Sequence, residues 1–283
     1  MRFKKYHGAG NDYVYVDART DDRDWQSLAK AVSDRHTGVG ADGLIILLPS
    51  TAADLRMRMF NADGSEAEMC GNGIRCLVRF ALEEKAIVSA GDVVKVETAA
   101  GVISVTPIWE GGRMTRASVD MGSPRLRPAD IPMALARSGP VKDFALTLDD
   151  TRDDTSVEVT TVSMGNPHAV AFLQQDVAEF PLHEVGPRVE VHPLFPNRVN
   201  FEIVNVLGRD RLRVRVWERG AGLTQACGTG ACAAVVAARL HGRVDDEVVV
   251  ELPGGVLTVR WPGQGSVTLE GPIAEVFEGV WPE

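Results

Sequence analysis

Two stretches of the sequence decide the fold, because each reads Cys-Gly-x-Gly and then runs into apolar residues: Met69-Cys70-Gly71-Asn72-Gly73-Ile74-Arg75-Cys76 and Ala226-Cys227-Gly228-Thr229-Gly230-Ala231-Cys232. Residues 231–238 carry no charged side chain, and residues 74–82 carry charge only at Arg75 and Arg79, which lie one helical turn apart. A helix that is apolar all round is buried, and runs this short cannot span a bilayer, which takes about 20 residues. The pattern predicts two core helices wrapped by β-sheet.

Each predicted helix begins at a cysteine. The N–H groups of a first helical turn lack partners within the helix, and the helix dipole favours an anion beside them. We therefore expect the pKa of Cys70 and Cys227 to lie below the free-cysteine value of about 8.5. A single Cys-Gly pair would usually be a small buried residue, but its duplication at two helix starts favours a functional pair. Cys76 and Cys232, inside the helices, are interpreted as core residues.

The composition bounds the class of protein. The chain has 283 residues, of which 45% are apolar and 24% charged, as in ordinary globular proteins. Its net charge of −9 argues against nucleic acid as a partner. The spacing of the four cysteines does not match a zinc pair, so no metal site is expected. Residues 1–17 contain no apolar signal core, so we expect a cytoplasmic protein with reduced thiols and no membrane partner.

Hydrophobic periodicity predicts the elements of the first half. They are a strand at 13–17, a helix at 25–33, a glycine-rich loop at 35–43, an apolar strand at 44–48, a half-buried strand at 55–60, and a hairpin of 93–97 with 101–107. Residues 139–156 are polar and acidic, which indicates an exposed loop and strand edge.

The second half repeats the first. Gly165-Asn166 matches Gly10-Asn11 at an offset of 155, residues 212–217 match 55–60 at 157, Cys227 matches Cys70 at 157, and residues 250–259 match 96–105 at 154. Four matches in order predict two copies of one α/β fold of the α+β type. Each copy is a mostly antiparallel, curled sheet around a central buried helix. The boundary is expected near residues 116–127, and the cleft between the copies is the expected binding site because ligands favour domain interfaces.

Several motifs together resemble those of the diaminopimelate epimerases. They are Gly8-Ala-Gly-Asn11-Asp12, Asn61-Ala-Asp-Gly64, the two Cys-Gly-x-Gly stretches, Gly165-Asn-Pro-His168, Asn197-Arg-Val-Asn200 and Trp217-Glu218-Arg219-Gly220. The resemblance implies interconversion of LL- and meso-2,6-diaminopimelate in lysine and peptidoglycan-precursor synthesis, without pyridoxal phosphate or metal. It also suggests a homodimer. In that family the last strand returns to the first of two pseudo-symmetric domains, which implies domains of 1–117 with 273–283 and of 118–272.

The same resemblance implies roles for individual residues. Arg219 would clamp the distal carboxylate of the substrate, which suits a guanidinium. The distal amino-acid end would be held by Asn61, Asn166 and Asn200. Asn11 would lie beside the reacting end of the substrate. Glu218 and His168 would tune the pKa of a cysteine, and Glu218 also belongs to the implied substrate-binding set. Gly43 stands where some relatives carry Gln, so a side-chain contact from that position is absent.

The residues fit this chemistry on their own terms. Inverting an α-carbon requires removal of a proton from one face and delivery of another to the opposite face, which two thiols can do as base and acid, here Cys70 and Cys227. Negative charge that develops on the substrate must also be stabilised. The first-turn N–H groups that could bind the α-carboxylate belong to Gly71, Asn72, Gly228 and Thr229.

Four alternatives are considered at this point. Proline or hydroxyproline racemase-type isomerases share the two Cys-Gly starts but usually have His where Asn72 stands, and phenazine-biosynthesis isomerases lack the cysteine pair. A thiol redox protein would favour a CxxC motif, which this sequence lacks. A non-catalytic amino-acid-binding module would not need two thiols.

Overall fold

The computed structural model describes residues 1–87, 92–148 and 156–282. It divides into two compact units, unit 1 of Met1–Asp120 with Glu270–Glu283 and unit 2 of Met121–Leu269. The domains expected from the sequence, 1–117 with 273–283 and 118–272, stay a prediction about independently folding parts. Within the described residues, no helix is both long and apolar enough to span a membrane.

The secondary structure follows the chain in this order. Up to residue 120 it comprises β1 (Arg2–Gly8), β2 (Asn11–Asp17), α1 (Trp25–Ser33), β3 (Gly43–Leu48), β4 (Leu55–Asn61), β5 (Glu66–Ala67), α2 (Gly71–Glu83), β6 (Val94–Thr98), β7 (Gly101–Glu110) and β8 (Arg113–Asp120). After a 3₁₀ turn at Pro128–Asp130 come β9 (Phe144–Thr147), β10 (Ser156–Ser163), β11 (Pro167–Phe172), α3 (Leu182–Glu190), β12 (Asn200–Gly208), β13 (Arg211–Glu218), β14 (Gly222–Leu223), α4 (Gly228–Leu240), β15 (Glu247–Leu252), β16 (Gly255–Arg260), β17 (Thr268–Pro272) and β18 (Ala274–Val280).

The sheet of unit 1 runs in the order β18-β1-β2-β3-β4-β6-β7-β8, with β5 paired to the end of β4. Neighbours are antiparallel except for β2–β3 and β4–β6, which are parallel. β18 pairs antiparallel with β1, so that Phe3 lies opposite Gly279. The implied return of the last strand to the first unit is confirmed.

Unit 2 shows the same succession of pairings. Its strands run in the order β9-β10-β11-β12-β13-β15-β16, with β14 paired to the end of β13. Two pairs are again parallel. β11–β12 corresponds to β2–β3 of unit 1, and β13–β15 corresponds to β4–β6. The fold is therefore the predicted mixed α/β class, dominated by antiparallel sheet.

A helix lies against the concave side of each sheet. α2 packs against β1, β2, β3, β7 and β8, and α4 against β10, β11, β12, β13 and β16. Residues 71–81 and 230–238 are buried throughout, which confirms the two predicted core helices. Even Arg75 is fully buried, since its guanidinium donates to the Gly71 carbonyl at 3.0 Å and to Oδ1 of Asn72 at 2.8 Å.

A second helix covers the opposite face of each sheet. In unit 1, α1 buries Trp25, Ala29 and Val32 in a core that includes Leu44 and Ile46. Strand β3 is thus covered on both faces, which explains its uninterrupted apolar sequence. The sequence pattern predicted α1 but not α3, because Gly186 and Pro187 lie inside α3 and are poor helix residues.

The stretch at 139–156 differs from its prediction. Val141, Leu146 and Leu148 are buried in the core of unit 2, and β9 pairs with β10 as an edge strand. The expectation of a strand edge is confirmed, but that of an exposed loop is wrong for these three side chains. Residues 149–155 lie outside the described residues.

A network of charged and polar side chains at the surface closes the end of α2 in unit 1. The carboxylate of Glu83 accepts from Lys4 Nζ at 2.6 Å, Tyr6 Oη at 2.5 Å and Arg79 Nε at 2.8 Å. Burial alone would raise the pKa of Glu83, but the three hydrogen bonds outweigh it and lower this pKa to about 2. The network fixes β1 to the helix.

We expect Glu83→Gln to destabilise the protein by about 2–3 kcal/mol at neutral pH. Because the folded-state pKa is depressed, this contribution is present above pH 4.5 and is lost as the pH falls toward 2. Denaturant unfolding at several pH values should therefore show wild type and variant converging below pH 4.5. Glu110→Gln, at an exposed position of the same unit, is the control, and parallel curves for Glu83→Gln would contradict the prediction.

Candidate active site

Cys70 and Cys227 occupy the same position at the starts of α2 and α4. Both are N-cap residues with extended backbone, at φ −135° and ψ 119° for Cys70 and φ −113° and ψ 115° for Cys227. The Sγ atom of each accepts the N–H of the third helical residue, Gly73 or Gly230, at 3.3 Å. An N-cap side chain normally accepts such an N–H through oxygen, and here sulfur takes that place. The prediction that both helices begin at a cysteine is confirmed.

The second glycine of each motif, Gly73 or Gly230, is closely packed against the strand beneath the helix start. A Cβ on Gly73 would lie 2.5 Å from Cδ1 of Ile45, and one on Gly230 would lie 2.8 Å from Oε1 of Glu202. Both distances are shorter than atoms can approach without displacement. Any larger residue would push the first helical turn away from the strand beneath it.

Three predicted residues of unit 1 meet at Cys70. Oδ1 of Asn11 lies 3.4 Å from Cys70 Sγ and 3.5 Å from Nδ2 of Asn72, and Gly71 opens the helix between them. The Nδ2 group of Asn11 donates to Oδ2 of Asp42 at 2.6 Å. The first cluster is thus an amide and a helix start arranged around one sulfur.

A row of neighbouring residues crosses the sheet beside this cluster. Tyr13 lies opposite Gly43, and Gly43 lies opposite Asn61, whose Nδ2 donates to Ser65 Oγ at 2.9 Å. Gly43 has no side chain, so no side-chain contact comes from this position. A Cβ there would lie 2.2 Å from the Phe60 carbonyl oxygen. Burial raises the pKa of Tyr13. The negative charge of Cys70 in its thiolate form and a hydrogen bond with Cys70 raise this pKa further.

In unit 2, a chain of polar side chains leads to Cys227. Nδ2 of Asn166 donates to Oγ1 of Thr229 at 3.2 Å, and that hydroxyl lies 3.5 Å from Cys227 Sγ. Oδ1 of Asn166 lies 2.9 Å from Nε2 of His168. His168 is fully buried, and its Nδ1 lies 2.7 Å from Oε1 of the equally buried Glu202. Gly228 is the first residue of the helix beside this chain.

The remaining predicted residues lie at the edge of this second cluster. Asn200 donates to the Pro167 carbonyl and accepts the backbone N–H of Arg219, each at 2.9 Å. The Arg219 side chain is exposed and donates to the Asn197 carbonyl at 3.0 Å. The Glu218 carboxylate accepts from the Thr224 hydroxyl, and it also makes a hydrogen bond with Cys227.

The expected low pKa is wrong for Cys227. Its pKa is raised well above the ordinary value, chiefly by burial and further by the negative charges of Glu218 and Glu202. Hydrogen bonds from Thr229 and Gly230 lower it, but by less. The helix start alone therefore does not decide the ionisation of this thiol, because desolvation penalises the thiolate. Burial likewise raises the pKa of Glu218.

The two cysteines have unlike surroundings on matching backbones. The offset of 157 residues that relates Cys70 to Cys227 also relates Ile45 to Glu202, and the 155-residue offset of Asn11 relates Tyr13 to His168. Motif reasoning did not identify Glu202, Tyr13 or Asp42. Extending the internal repeat along β3 and β12 would have found Glu202 as the counterpart of Ile45, and extending it along β2 and β11 would have found Tyr13 as the counterpart of His168.

A metal site requires a particular arrangement of His, Cys, Asp and Glu side chains. Among residues 1–87, 92–148 and 156–282, no group of three or more His, Cys, Asp or Glu side chains is placed to hold a metal ion. The expectation that the chain uses neither metal nor cofactor stays a prediction.

Comparison with known proteins identifies the family. A sequence model of the family described as diaminopimelate epimerase matches residues 3–127 and 160–274. The diaminopimelate epimerase of Moorella thermoacetica is 50% identical over 285 residues, which cover 100% of this chain and 99% of that protein. The diaminopimelate epimerase of Methanococcus maripaludis is 45% identical over 281 residues, which cover 99% of each. The chain belongs to the diaminopimelate epimerase family.

Solved structures of proteins with much lower sequence identity resemble this member of the diaminopimelate epimerase family. A probable proline racemase from Agrobacterium radiobacter superposes with a TM-score of 0.72 at 16% identity, covering 99% of this chain and 92% of the other. A phenazine biosynthesis protein from Bacillus anthracis gives a TM-score of 0.72 at 20% identity, covering 99% and 98%. At these identities the likeness shows the shared fold alone. The resemblance inferred from the motifs is confirmed at the level of the family.

We expect Glu218→Gln to make Cys227 more reactive. The negative charge of Glu218 raises the pKa of Cys227, so removing it should lower the pKa of that thiol. Alkylation of Cys227 at pH 8 should then become several-fold faster, up to about tenfold for one pH unit. Mass spectrometry of the peptides would measure this, with Cys70 in the same sample and a Glu190→Gln variant as controls. Slower alkylation of Cys227 would contradict the prediction.

Proposed function

We propose that this chain epimerises LL-2,6-diaminopimelate to meso-2,6-diaminopimelate, as an isomerase of lysine biosynthesis that needs no cofactor. The observation that carries the proposal is the pair of cysteines, Cys70 and Cys227, each capping a buried helix through its sulfur. These caps occur in a chain that is 50% identical to a diaminopimelate epimerase over its whole length. Two thiols in equivalent positions are what a two-base inversion of one carbon requires.

In the proposed mechanism, one cysteine removes the α-proton as thiolate and the other delivers a proton as thiol. Each sulfur receives one helix N–H, from Gly73 or Gly230 at 3.3 Å, which stabilises the thiolate form. The thiols then exchange roles for the reverse reaction. The mechanism requires both sulfurs to reach one carbon from opposite faces, and the labelling experiment below tests that requirement.

Negative charge that develops during deprotonation spreads onto the α-carboxylate of the substrate. We assign its binding to the first-turn N–H groups of Gly71, Asn72, Gly228 and Thr229. These groups belong to the first turn of each helix and lie at the positive end of its dipole. Such preorganised donors contribute most where water is excluded.

The other binding roles follow the family motifs. Arg219, whose side chain is exposed, would bind the distal carboxylate of the substrate. The distal amino-acid end is assigned to Asn61, Asn166 and Asn200, and the reacting end to Asn11. Glu218 belongs to the substrate-binding set without an assigned end. His168 and Glu218 would adjust the ionisation of Cys227, since hydrogen bonds connect both of them to that thiol directly or through Asn166 and Thr229.

The partner of the protein in this proposal is the small-molecule substrate. We further propose a cytoplasmic homodimer that binds neither nucleic acid nor membrane. The net charge of −9 supports the absence of nucleic acid binding. A reducing compartment suits a reaction that uses thiols, and Cys70, Cys76, Cys227 and Cys232, all within the described residues, form no disulfide.

The assay that tests the function supplies LL-diaminopimelate or proline to the purified protein without any added cofactor. We expect isomerisation of diaminopimelate and none of proline. Activity on proline alone would replace this function by the racemase alternative, and activity on neither would favour an amino-acid-binding or redox role.

Deuterium labelling tests the two-base mechanism. In heavy water at early conversion, the product should carry deuterium at the inverted carbon, because the delivering thiol has exchanged with solvent. The recovered substrate should carry almost none, because the proton held by the first cysteine returns unexchanged. Mass spectrometry of both pools measures this, and equal early labelling of the two would refute the assignment.

Replacing either capping cysteine should abolish epimerisation. Cys70→Ala and Cys227→Ala each remove the acid or base on one face, and positioned acid–base groups typically contribute about 10²–10⁴-fold. Cys76→Ala and Cys232→Ala are matched controls inside the same two helices, where both side chains are fully buried. They should cost about 1 kcal/mol of stability and leave turnover unchanged. Near-normal turnover by Cys227→Ala would contradict the mechanism.

A further inference from the structure

The amide of Asn11 has a defined orientation at Cys70. Its Nδ2 donates to Oδ2 of Asp42 at 2.6 Å. A carboxylate only accepts hydrogen bonds, so the nitrogen of the amide must face Asp42. Oδ1 of Asn11 therefore faces the opposite way, 3.4 Å from Cys70 Sγ and 3.5 Å from Nδ2 of Asn72.

Asp42 is itself held in place at the end of the glycine-rich loop that precedes β3. Its Oδ1 accepts from Nη2 of Arg35 at 2.8 Å, and its Oδ2 accepts the backbone N–H of Asp12 at 3.1 Å. The backbone N–H of Asp42 donates to the Asp12 carbonyl at 2.8 Å. Both oxygens of the Asp42 carboxylate thus accept hydrogen bonds from donors that fix its position. The carboxylate presents only acceptors to Asn11.

The matching asparagine of unit 2 has the opposite arrangement. Asn166 turns its nitrogen toward Thr229, at 3.2 Å, and its oxygen toward His168, at 2.9 Å. A Thr229 hydroxyl that accepts from Asn166 is left to donate to Cys227, 3.5 Å away. The repeat thus places an acceptor at one sulfur and a donor at the other.

An acceptor facing a thiol stabilises the S–H form and opposes the thiolate. We propose that Asp42 is a positioning residue, which fixes the Asn11 amide so that its carbonyl oxygen faces Cys70 and holds the thiol proton there. The inference rests on the proposed function only in treating Cys70 as a catalytic thiol.

Other groups act on Cys70 within unit 1 and remain unchanged in the test. Tyr13 and Tyr15 reach it from β2, and Cys76 interacts with it from α2. Arg75 of α2 is buried one turn below and binds Asn72, and Ile45 packs beneath the helix start from β3. A change in Cys70 ionisation on altering Asp42 comes either from the Asp42 charge, acting directly or through Tyr13, or from the Asn11 amide, which also makes a hydrogen bond with Tyr13.

Asp42→Asn separates these two causes when it is combined with Asn11→Ala. In Asp42→Asn, the charged Arg35 retains the amide oxygen, so the new NH₂ takes the place of Oδ2 at the cost of the hydrogen bond from the Asp12 backbone N–H. That NH₂ faces Asn11, which then turns its oxygen toward position 42 and its nitrogen toward Cys70. The sulfur then gains a donor, and we expect its apparent pKa to fall by about one pH unit. In the Asn11→Ala background the same change at position 42 should have less than about a third of this effect.

The experiment measures iodoacetamide alkylation of Cys70 against pH in the ligand-free protein, by mass spectrometry of peptides. Cys227 in the same samples is the internal control. Asp12→Asn is the matched variant, since Asp12 also pairs with Arg35, through Oδ1 at 2.8 Å, but its side chain does not bind the Asn11 amide. Asn11→Ala alone, which removes the acceptor, should also lower the Cys70 pKa and serves if Asp42→Asn fails to fold.

A fall in the Cys70 pKa that disappears in the Asn11→Ala background, with Cys227 unmoved, supports the proposal. An equal fall in both backgrounds, or with Asp12→Asn, overturns it, because the charge alone would then suffice. An unchanged Cys70 pKa in Asp42→Asn or in Asn11→Ala also overturns it. The titration uses no substrate, so its failure leaves the epimerase assignment untouched, and loss of that assignment leaves the titration valid.

Discussion

The structure depends on one hydrogen bond made twice, the N–H of the third helical residue to a cysteine sulfur. It gives each buried helix a cap that a serine or aspartate would ordinarily supply. It also brings the sulfur to the end of a helix that is otherwise sealed inside a sheet. The glycine that donates the N–H cannot carry a Cβ, because Ile45 or Glu202 lies directly beneath it. Capping, packing and reactivity are thus satisfied by the same few atoms, which explains why the motif is so short.

Electrostatics then distinguish two sites that share one backbone plan. Around Cys227 lie two carboxylates and a buried histidine, whereas the matching positions around Cys70 hold isoleucine, asparagine and tyrosine. Burial and negative charge make the thiolate of Cys227 costly. The helix N-terminus acts in the opposite sense at both sulfurs. At Cys227, burial and the neighbouring charges outweigh the helix N-terminus in deciding which form the thiol takes.

Sequence reasoning predicted the parts of this molecule that follow periodicity or exact repetition. The bounds of α1, the apolar strand β3 and both capped helices came from such signals, whereas the return of β18 came from the family resemblance. It missed α3, where Gly186 and Pro187 interrupt the helical pattern while Trp217 packs against the glycine. It also misjudged Cys227, since desolvation depends on neighbours distant in the chain. Glu202 lies 25 residues before Cys227 in a strand that reads as ordinary apolar sheet, and only the paired register brings it to the helix start.

The pairing of β18 with β1 has a consequence for how the chain is made. The amino-terminal ammonium of Met1 donates to the Trp281 carbonyl at 2.8 Å, so the two ends of the sequence lie side by side. During synthesis, residues 121–269 leave the ribosome as one continuous piece that contains every strand of unit 2 up to β16. The first 120 residues must wait for the final strand before the edge at β1 is covered. An open edge strand is a template for pairing with other chains, so unit 1 exposes such an edge until the residues that follow unit 2 in the chain have been made.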